Sequence, residues 1–515
     1  MIDVTPLMRL FAARRLTRLD RLDSVSAQER TLLALVRRAA ATRFGRDHGF
    51  PSIGSVAEFQ ARVPLRDYDA MWGQYWRDAF PSLHGLSWPG RTPFLALSSG
   101  TSTGHSKYLP VTPDMLRSNA RAGFDALAFH LAAKPRSHVF AGKLFLLGGS
   151  TALTEEAPGV RSGDLSGIAA VSMPWWVRPF VFPGPGLALL ADWNAKIDHL
   201  AEASLNLDVR ALAGTPSWVL ILLDRVQALR RRRAEGGDGS GRPDGPAYPG
   251  IELFLHGGVN FAPYRERFMT LLGGGDVDLR EVYPASEGFV ASADREYGQG
   301  LRMNCDHGLF FEFVPVSDLG GPGPRRFWLK DAQVGVEYAL ALSTCAGLFA
   351  YLLGDTVRLV DTSPPRLLVT GRTSWGLSAF GEHLIAWEIE KAVAAAAAAL
   401  SAQVTDYAAG ALYPEPGRAV GGHLFVVEFA QAPDADGVSR FARELDASLA
   451  AQNADYRDHR SGGVGMAPPR VRAVPAGTFA AWMASRGKLG GQHKVPRVIN
   501  DQDLWENLLA FTAAP

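Results

Sequence analysis

Apolar and polar positions come in blocks whose spacing sets out the architecture. From residue 210 onward short apolar runs at 210–214, 251–256 and 279–283 alternate with helical patterns opened by Thr215-Pro216 and by Pro263. In the first of these helices Val219, Leu222, Leu223 and Val226 recur at helical spacing. Such alternation predicts a parallel sheet with helices on its faces, and ligands in such sheets bind at the carboxyl ends of strands. Gly257-Gly258 and Tyr283-Pro284-Ala285-Ser286-Glu287-Gly288 both fall at such ends. After Leu309 the pattern changes to extended runs at 310–314, 327–329 and 337–344, which predict a β-rich subdomain. A helix to Leu400, strands at 404–411 and 423–429, a helix over 438–451 and a strand at 470–474 then predict an α+β domain.

The N-terminal pattern is different. Thr5-Pro6 opens a helix with Leu7, Leu10 and Phe11 on one side and Arg9, Arg14 and Arg15 interleaved. Its arginines suit a transit peptide, whereas Asp3, Asp20 and Asp23 favour an ordinary amphipathic helix. A second helix is expected over 28–42. The apolar run 94–97 then delivers Ser98, Ser99, Gly100, Thr101, Ser102, Thr103 and Gly104, and His105-Ser106 lead to Lys107. Glycines let a backbone approach an anion, and hydroxyls with a lysine offer donors to phosphate oxygens, so this stretch reads as a phosphate cradle rather than a spacer. In the familiar phosphate loops the strand runs straight into a helix. Here another extended segment, 107–111, intervenes before Thr112-Pro113 opens a helix with Phe124, Leu127, Ala128 and Leu131 on its core side.

A strand-loop-strand cradle resembles the first signature of adenylate-forming enzymes. The chain as a whole, from Thr42-Arg43-Phe44-Gly45 to Gln492-His493-Lys494-Val495-Pro496-Arg497, is similar to the auxin-responsive acyl acid amido synthetases, as a bacterial member. The resemblance implies an α/β large N-terminal domain with mostly parallel sheets, helices and a β-rich subdomain, at residues 1–371. A small mobile α+β domain at 372–515 would close over the active site. The segment from Tyr283 through Ala285 and Ser286 to Glu287 resembles the second signature, in which the aromatic ring packs on adenine, the serine approaches the α-phosphate and the glutamate holds Mg²⁺. Asp355 of Gly354-Asp355 matches the aspartate that takes the ribose hydroxyls, a role suited to a carboxylate that accepts two hydrogen bonds. Arg372 and His383 lie in a stretch that resembles the interdomain hinge and are assigned by that resemblance to ATP binding, although relatives often carry lysine, with a role near the nucleotide, where His383 stands. Lys494 matches the catalytic lysine, with Lys488 as the fallback.

Composition narrows the partners without changing this picture. With 53 basic and 52 acidic residues the net charge is +1, so no footprint for nucleic acid or an anionic membrane is expected, and the partners should be small molecules. Cys305 and Cys345 lack metal-ligand spacing, which suits a reducing cytoplasm. The arginines before the Gly/Asp/Pro-rich tract at 236–250 read as a solvated helix end rather than a docking patch. The expected activity uses ATP and Mg²⁺ to adenylate a small-molecule carboxylic acid and passes the acyl group to an amino acid, in a monomer. An acyl-CoA ligase shares the first half of that reaction, and a non-catalytic nucleotide-binding protein shares only the site. The region of Met173-Pro174-Trp175-Trp176 is a candidate lining for the acid pocket.

Overall fold

The computed structural model describes the chain outside residues 1, 99–106, 149–152, 189–192, 236–244, 259–260, 262–264, 275, 320, 322, 374–375, 378–383, 413–420, 454–455, 458–459, 461–465, 489–493 and 514–515. It divides into two compact units, Met1–Val369 and Thr370–Pro515.

The larger unit is built on a twelve-stranded sheet. In spatial order its parallel part is Val181–Phe182, Lys143–Leu147, Val209–Gly214, Leu253–His256 and Asp278–Ala285. Gly288–Ser292, Leu301–Met303, Pro365–Arg372, Tyr351–Thr362, Glu337–Thr344, Leu309–Pro315 and Phe327–Trp328 continue it. Antiparallel pairing begins at the hairpin from Ala285 to Gly288. The predicted β-rich segment is therefore an extension of the same sheet. Side chains alternate across each strand, so the parallel part needs two apolar covers. On one face Phe145, Leu212 and Phe254 pack with Val219, Leu222, Leu223 and Val226 of the helix Pro216–Glu235. On the other, Ala211, Leu253 and Leu255 pack with Leu127, Ala128 and Leu131 of the helix Pro113–Ala133.

The second helix is Ser24–Ala39, starting earlier than the sequence reading because Asp23 caps it by accepting from the Val25 and Ser26 amides. Its buried Gln28 donates to the Cys305 and Leu309 carbonyls and accepts from the Phe311 amide. Those bonds satisfy a buried amide that would otherwise be costly, and they tie the helix to the sheet.

The smaller unit has a four-stranded sheet in the order Arg470–Val474, Gly422–Phe429, Val404–Leu412, Val498–Ile499. Tyr407, Ala409, Phe425 and Val427 face the helices Ala386–Ala399 and Ala435–Gln452, whereas Ala408, Leu424 and Val426 face Thr478–Ser485 and Gln502–Phe511. Covering both faces explains why every residue of Gly422–Phe429 is buried. Gly410 is required by close approach, since a Cβ there would lie 2.5 Å from the Trp505 ring.

Candidate functional site

The stretch predicted to cradle phosphate is mounted on a hairpin. Phe94–Ser98 pairs antiparallel with Lys107–Val111, and Ser98 and Lys107 are opposite each other in the register. The two ends of the cradle are thus held side by side. Ser99, Gly100, Thr101, Ser102, Thr103 and Gly104 lie outside the described residues. The Lys107 ammonium sits 5.7 Å from the Tyr68 ring centroid, and the Tyr68 hydroxyl accepts from the Tyr108 amide at 3.0 Å. Beyond the hairpin Thr112 caps the helix Pro113–Ala133 by accepting from the Met115 amide, and donates to the Cys345 carbonyl at 2.7 Å. The cradle is consequently tied to the antiparallel part of the large sheet.

The second candidate segment forms a tighter hairpin than the sequence implies. Asp278–Ala285 runs two residues past Tyr283, and Ser286 and Glu287 make the turn into Gly288–Ser292. Glu287 is buried in that turn, and the Tyr351 hydroxyl donates to its Oε1 at 3.4 Å. Burial and the Glu287 charge push the Tyr351 phenol well above its ordinary pKa, so Tyr351 stays a hydroxyl donor. Tyr351 carried no role in the sequence reading, although it opens the run that contains Asp355.

Asp355 is placed by a bulge. Ala339 pairs with Thr356 and Ala341 with Leu352, so three residues of one strand stand opposite a single residue of the other. Gly354 has φ of 87°, a left-handed conformation that glycine adopts without penalty. Gly-Asp, which alone reads as a turn, here lies within the strand Tyr351–Thr362. The Tyr283 hydroxyl donates to Asp355 Oδ2 at 2.5 Å. Two motifs 72 residues apart are thereby brought together by side-chain contact.

Glu281 was not singled out from sequence. It lies two residues before Tyr283, on the same face of the strand, and burial alone pushes its carboxyl up to about 7. Beside it in register is His256, whose imidazole burial pushes down to about 3 and which stacks on Phe261 at 3.7 Å. A glutamate in a strand reads as solvent-facing, so only the packing reveals this pair.

Other candidates fall elsewhere. Trp175 and Trp176 are 79% and 53% exposed, which places them on the surface and not in an enclosed acid pocket. Arg372 ends the strand Pro365–Arg372, and His383 lies outside the described residues. The tract at 236–244 also lies outside them. Lys494 is an exposed residue of the smaller unit, between the outlying 489–493 and the strand Val498–Ile499. Three residues on, Arg497 bonds Asp406, lies 4.6 Å from the Tyr407 ring centroid and accepts from the Ala409 amide. Lys488 is half-buried, its amide bonded to the Met483 carbonyl at 2.9 Å. Among the described residues no three of His, Cys, Asp and Glu cluster as a metal cage.

Three models of one family match successive stretches of the chain: the GH3 family N-terminal domain at residues 18–189, the central domain at 303–372 and the C-terminal domain at 387–503. Curated relatives include the indole-3-acetic acid-amido synthetase GH3.8 of Oryza sativa subsp. indica, 31% identical over 233 residues, 41% of this chain and 38% of that protein. The indole-3-acetic acid-amido synthetase GH3.3 of Arabidopsis thaliana is 30% identical over 239 residues, 42% of this chain and 40% of that protein. The chain thus spans about two fifths of the length of the curated relatives it matches. Among solved structures, the GH3.15 acyl acid amido synthetase aligns over 99% of this chain and 97% of its own, with a TM-score of 0.79 at 19% identity. A 2-hydroxyisobutyryl-CoA ligase in the postadenylation state aligns over 94% and 91%, with a TM-score of 0.60 at 14% identity. At these identities the likeness is one of fold.

Proposed function

Because the chain belongs to the GH3 family of the adenylate-forming superfamily, we propose that it is an ATP-dependent acyl acid amido synthetase. The observation that carries this reading is the contact of Tyr283 with Asp355, beside a hairpin turn that holds Glu287. It joins an aromatic ring for a base, a carboxylate for ribose hydroxyls and a carboxylate for a phosphate-bound cation. The relatives' names, indole-3-acetic acid-amido synthetase and acyl acid amido synthetase, agree with an acid and an amino acid as substrates.

In the first half-reaction a carboxylate oxygen of the acid attacks the α-phosphorus of ATP, forming acyl-adenylate and releasing pyrophosphate. Both reactants are anionic, so the rate depends on donors aimed at the phosphates. Ser98, Lys107 and the hydroxyls and glycines at 99–104 are assigned to the phosphates, with Ala285 and Ser286 beside them. Glu287 fits Mg²⁺, because this ion is commonly held by one or two carboxylates with phosphate oxygens and needs no all-protein cage. Bound there, it would supply charge neutralisation at the phosphates. Tyr351 holds the Glu287 carboxylate in orientation. Lys494 is assigned to the adenylation step, which requires the smaller unit to bring it to the reacting groups. Arg372 and His383 belong to the connecting stretch. In the second half-reaction the amine nitrogen of an amino acid attacks the acyl carbon, losing a proton as AMP leaves.

A panel of carboxylic acids screened by pyrophosphate release, followed by product mass spectrometry, tests the proposal. An amide is expected when amino acids are supplied. A CoA thioester forming faster than any amide would replace this reading with that of a ligase, and absence of turnover with ATP bound would replace it with that of a binding protein.

A further inference from the structure

The first helix, Thr5–Asp20, presents two faces with different tasks. Thr5, Ala12 and Leu19 are buried, and Met8 and Leu16 pack inward against the residues that bury Ala126 and Leu131. The outward face follows helical spacing as Leu7, Leu10, Phe11, Arg14, Arg18 and Arg21. Its first half is apolar and uncovered, with Leu7 67%, Leu10 64% and Phe11 51% exposed. The apolar surface continues sideways. Phe11 meets Phe124 edge-on at 6.2 Å, and Phe124 stacks with Trp176 at 6.5 Å.

The second half of the face is basic. Arg14, Arg18, Arg21 and Arg30 line a groove of about 610 Å³ in which Asp23 is the one carboxylate. Among the described residues none of these four arginines forms an ion pair, and the nearby aspartates have partners of their own, although the Asp23 carboxyl, which the Ser26 bond holds low, is lowered also by the Arg30 charge. Asp3 accepts from the Thr5 amide and pairs with His138, Asp20 pairs with Arg302, and Asp23 caps the second helix. Asp306, whose charge Arg18 also feels, is held by Arg15. A net charge of +1 for the whole chain therefore conceals a local patch of one sign.

We infer that this face docks the protein on an anionic lipid surface, with Leu7, Leu10, Phe11 and Trp176 at the acyl boundary and the Arg14 to Arg30 groove on headgroup phosphates. Three features favour lipid. Arginine forks match phosphate oxygens in pairs. Tryptophan, phenylalanine and leucine beside basic residues are the composition of interfacial helices. A second copy of the chain meeting this patch isologously would set arginine against arginine. No helix among the described residues is long and apolar enough to cross a membrane, so the contact is peripheral.

Co-sedimentation of the full chain with vesicles tests this. Vesicles of phosphatidylcholine mixed with phosphatidylglycerol should pull the protein down at low salt, pure phosphatidylcholine should not, and raised salt should release it. The double variant R14E/R18E should lower partition at least about tenfold. L7S/L10S should lower it severalfold while thermal melting stays that of the parent. Failure to sediment with the anionic vesicles overturns the proposal, as does binding indifferent to both variants. Light scattering that shows a dimer abolished by L7S/L10S, with no vesicle binding, overturns it in favour of a second copy.

Discussion

The residues assigned to the nucleotide in the larger unit and the Lys494 segment assigned to adenylation in the smaller one are placed in different settings. Tyr283, Tyr351 and Asp355 sit on strands of one sheet and Glu287 in a hairpin turn between two of them, linked by hydroxyl to carboxylate bonds. Lys494 is an exposed residue of the smaller unit, three residues before Arg497, which bonds Asp406 and lies against the Tyr407 ring. A site that must recognise the same base and sugar in every turnover gains from fixed geometry, because positioning is then already present when substrate arrives. Lys494, proposed to act in one half-reaction, lies in the other unit and at its surface. That contrast predicts which substitutions cost turnover and which cost binding.

The largest effect belongs to Lys494. Lys494→Ala should lower pyrophosphate release on the order of 10² to 10³-fold, the usual loss when one charge-stabilising donor is removed, with ATP affinity nearly unchanged. Equal losses in both measurements would break the contrast. Next is the anchor. Burial raises the Asp406 carboxyl despite the neighbouring Arg497, so Arg497→Met leaves a costly carboxylate in place. A loss of about 3 kcal/mol is expected, seen as faster hydrogen exchange along Val404–Leu412 and not along Asp278–Ala285. Spread of that loss to both strands would show that the units do not respond separately.

The rigid region carries a charge of its own to test. With the Glu281 carboxyl pushed up to about 7, the folded chain holds a proton that the unfolded chain releases from about pH 4.5 upward. Stability should therefore fall as pH rises from 4.5 through 7. Glu281→Gln removes this dependence and should stabilise the protein by about 3 kcal/mol at pH 8 and under about 1 kcal/mol at pH 5, measured by denaturant melts. A variant equally stabilised at both pH values would mean that the carboxylate is well solvated.

Much of this was legible because local patterns carry it. Val219, Leu222, Leu223 and Val226 lie at helical spacing and are all fully buried. Tyr283, Glu287 and Asp355 announce themselves through motifs. Their mutual geometry did not, because the Tyr283 to Asp355 contact depends on strand order across an antiparallel half that local periodicity cannot specify. The same holds for the bulge: Gly354 in a turn and Gly354 in a twelve-residue strand look alike until pairing with Ala339 and Ala341 is known. Glu281 and Gln28 were missed for a related reason, since a polar residue signals exposure until the packing around it is known. The outward basic face of the first helix was not read from spacing, which offered Arg9, Arg14 and Arg15 as interleaved positions; that Arg15 turns inward to Asp125 and Asp306 while Arg14 and Arg18 stay outside depends on the packing.

The smallest expected effect is also the finest test of the rigid site. Asp355→Ala removes the carboxylate assigned to ribose and should weaken ATP binding about tenfold in calorimetric titration. Tyr283→Phe keeps the ring and deletes the hydroxyl that donates to Asp355. If that bond serves to hold Asp355 in place, its loss should cost about 1 kcal/mol of ATP affinity, less than the loss of the carboxylate itself. The two effects should also fail to add: in the Asp355→Ala background the hydroxyl has nothing to hold, so the second substitution should cost little more. Full additivity would separate the two residues and leave Asp355 positioned by its bulge alone. A Tyr283→Phe loss equal to that of Asp355→Ala would instead make the hydroxyl essential to the ribose contact.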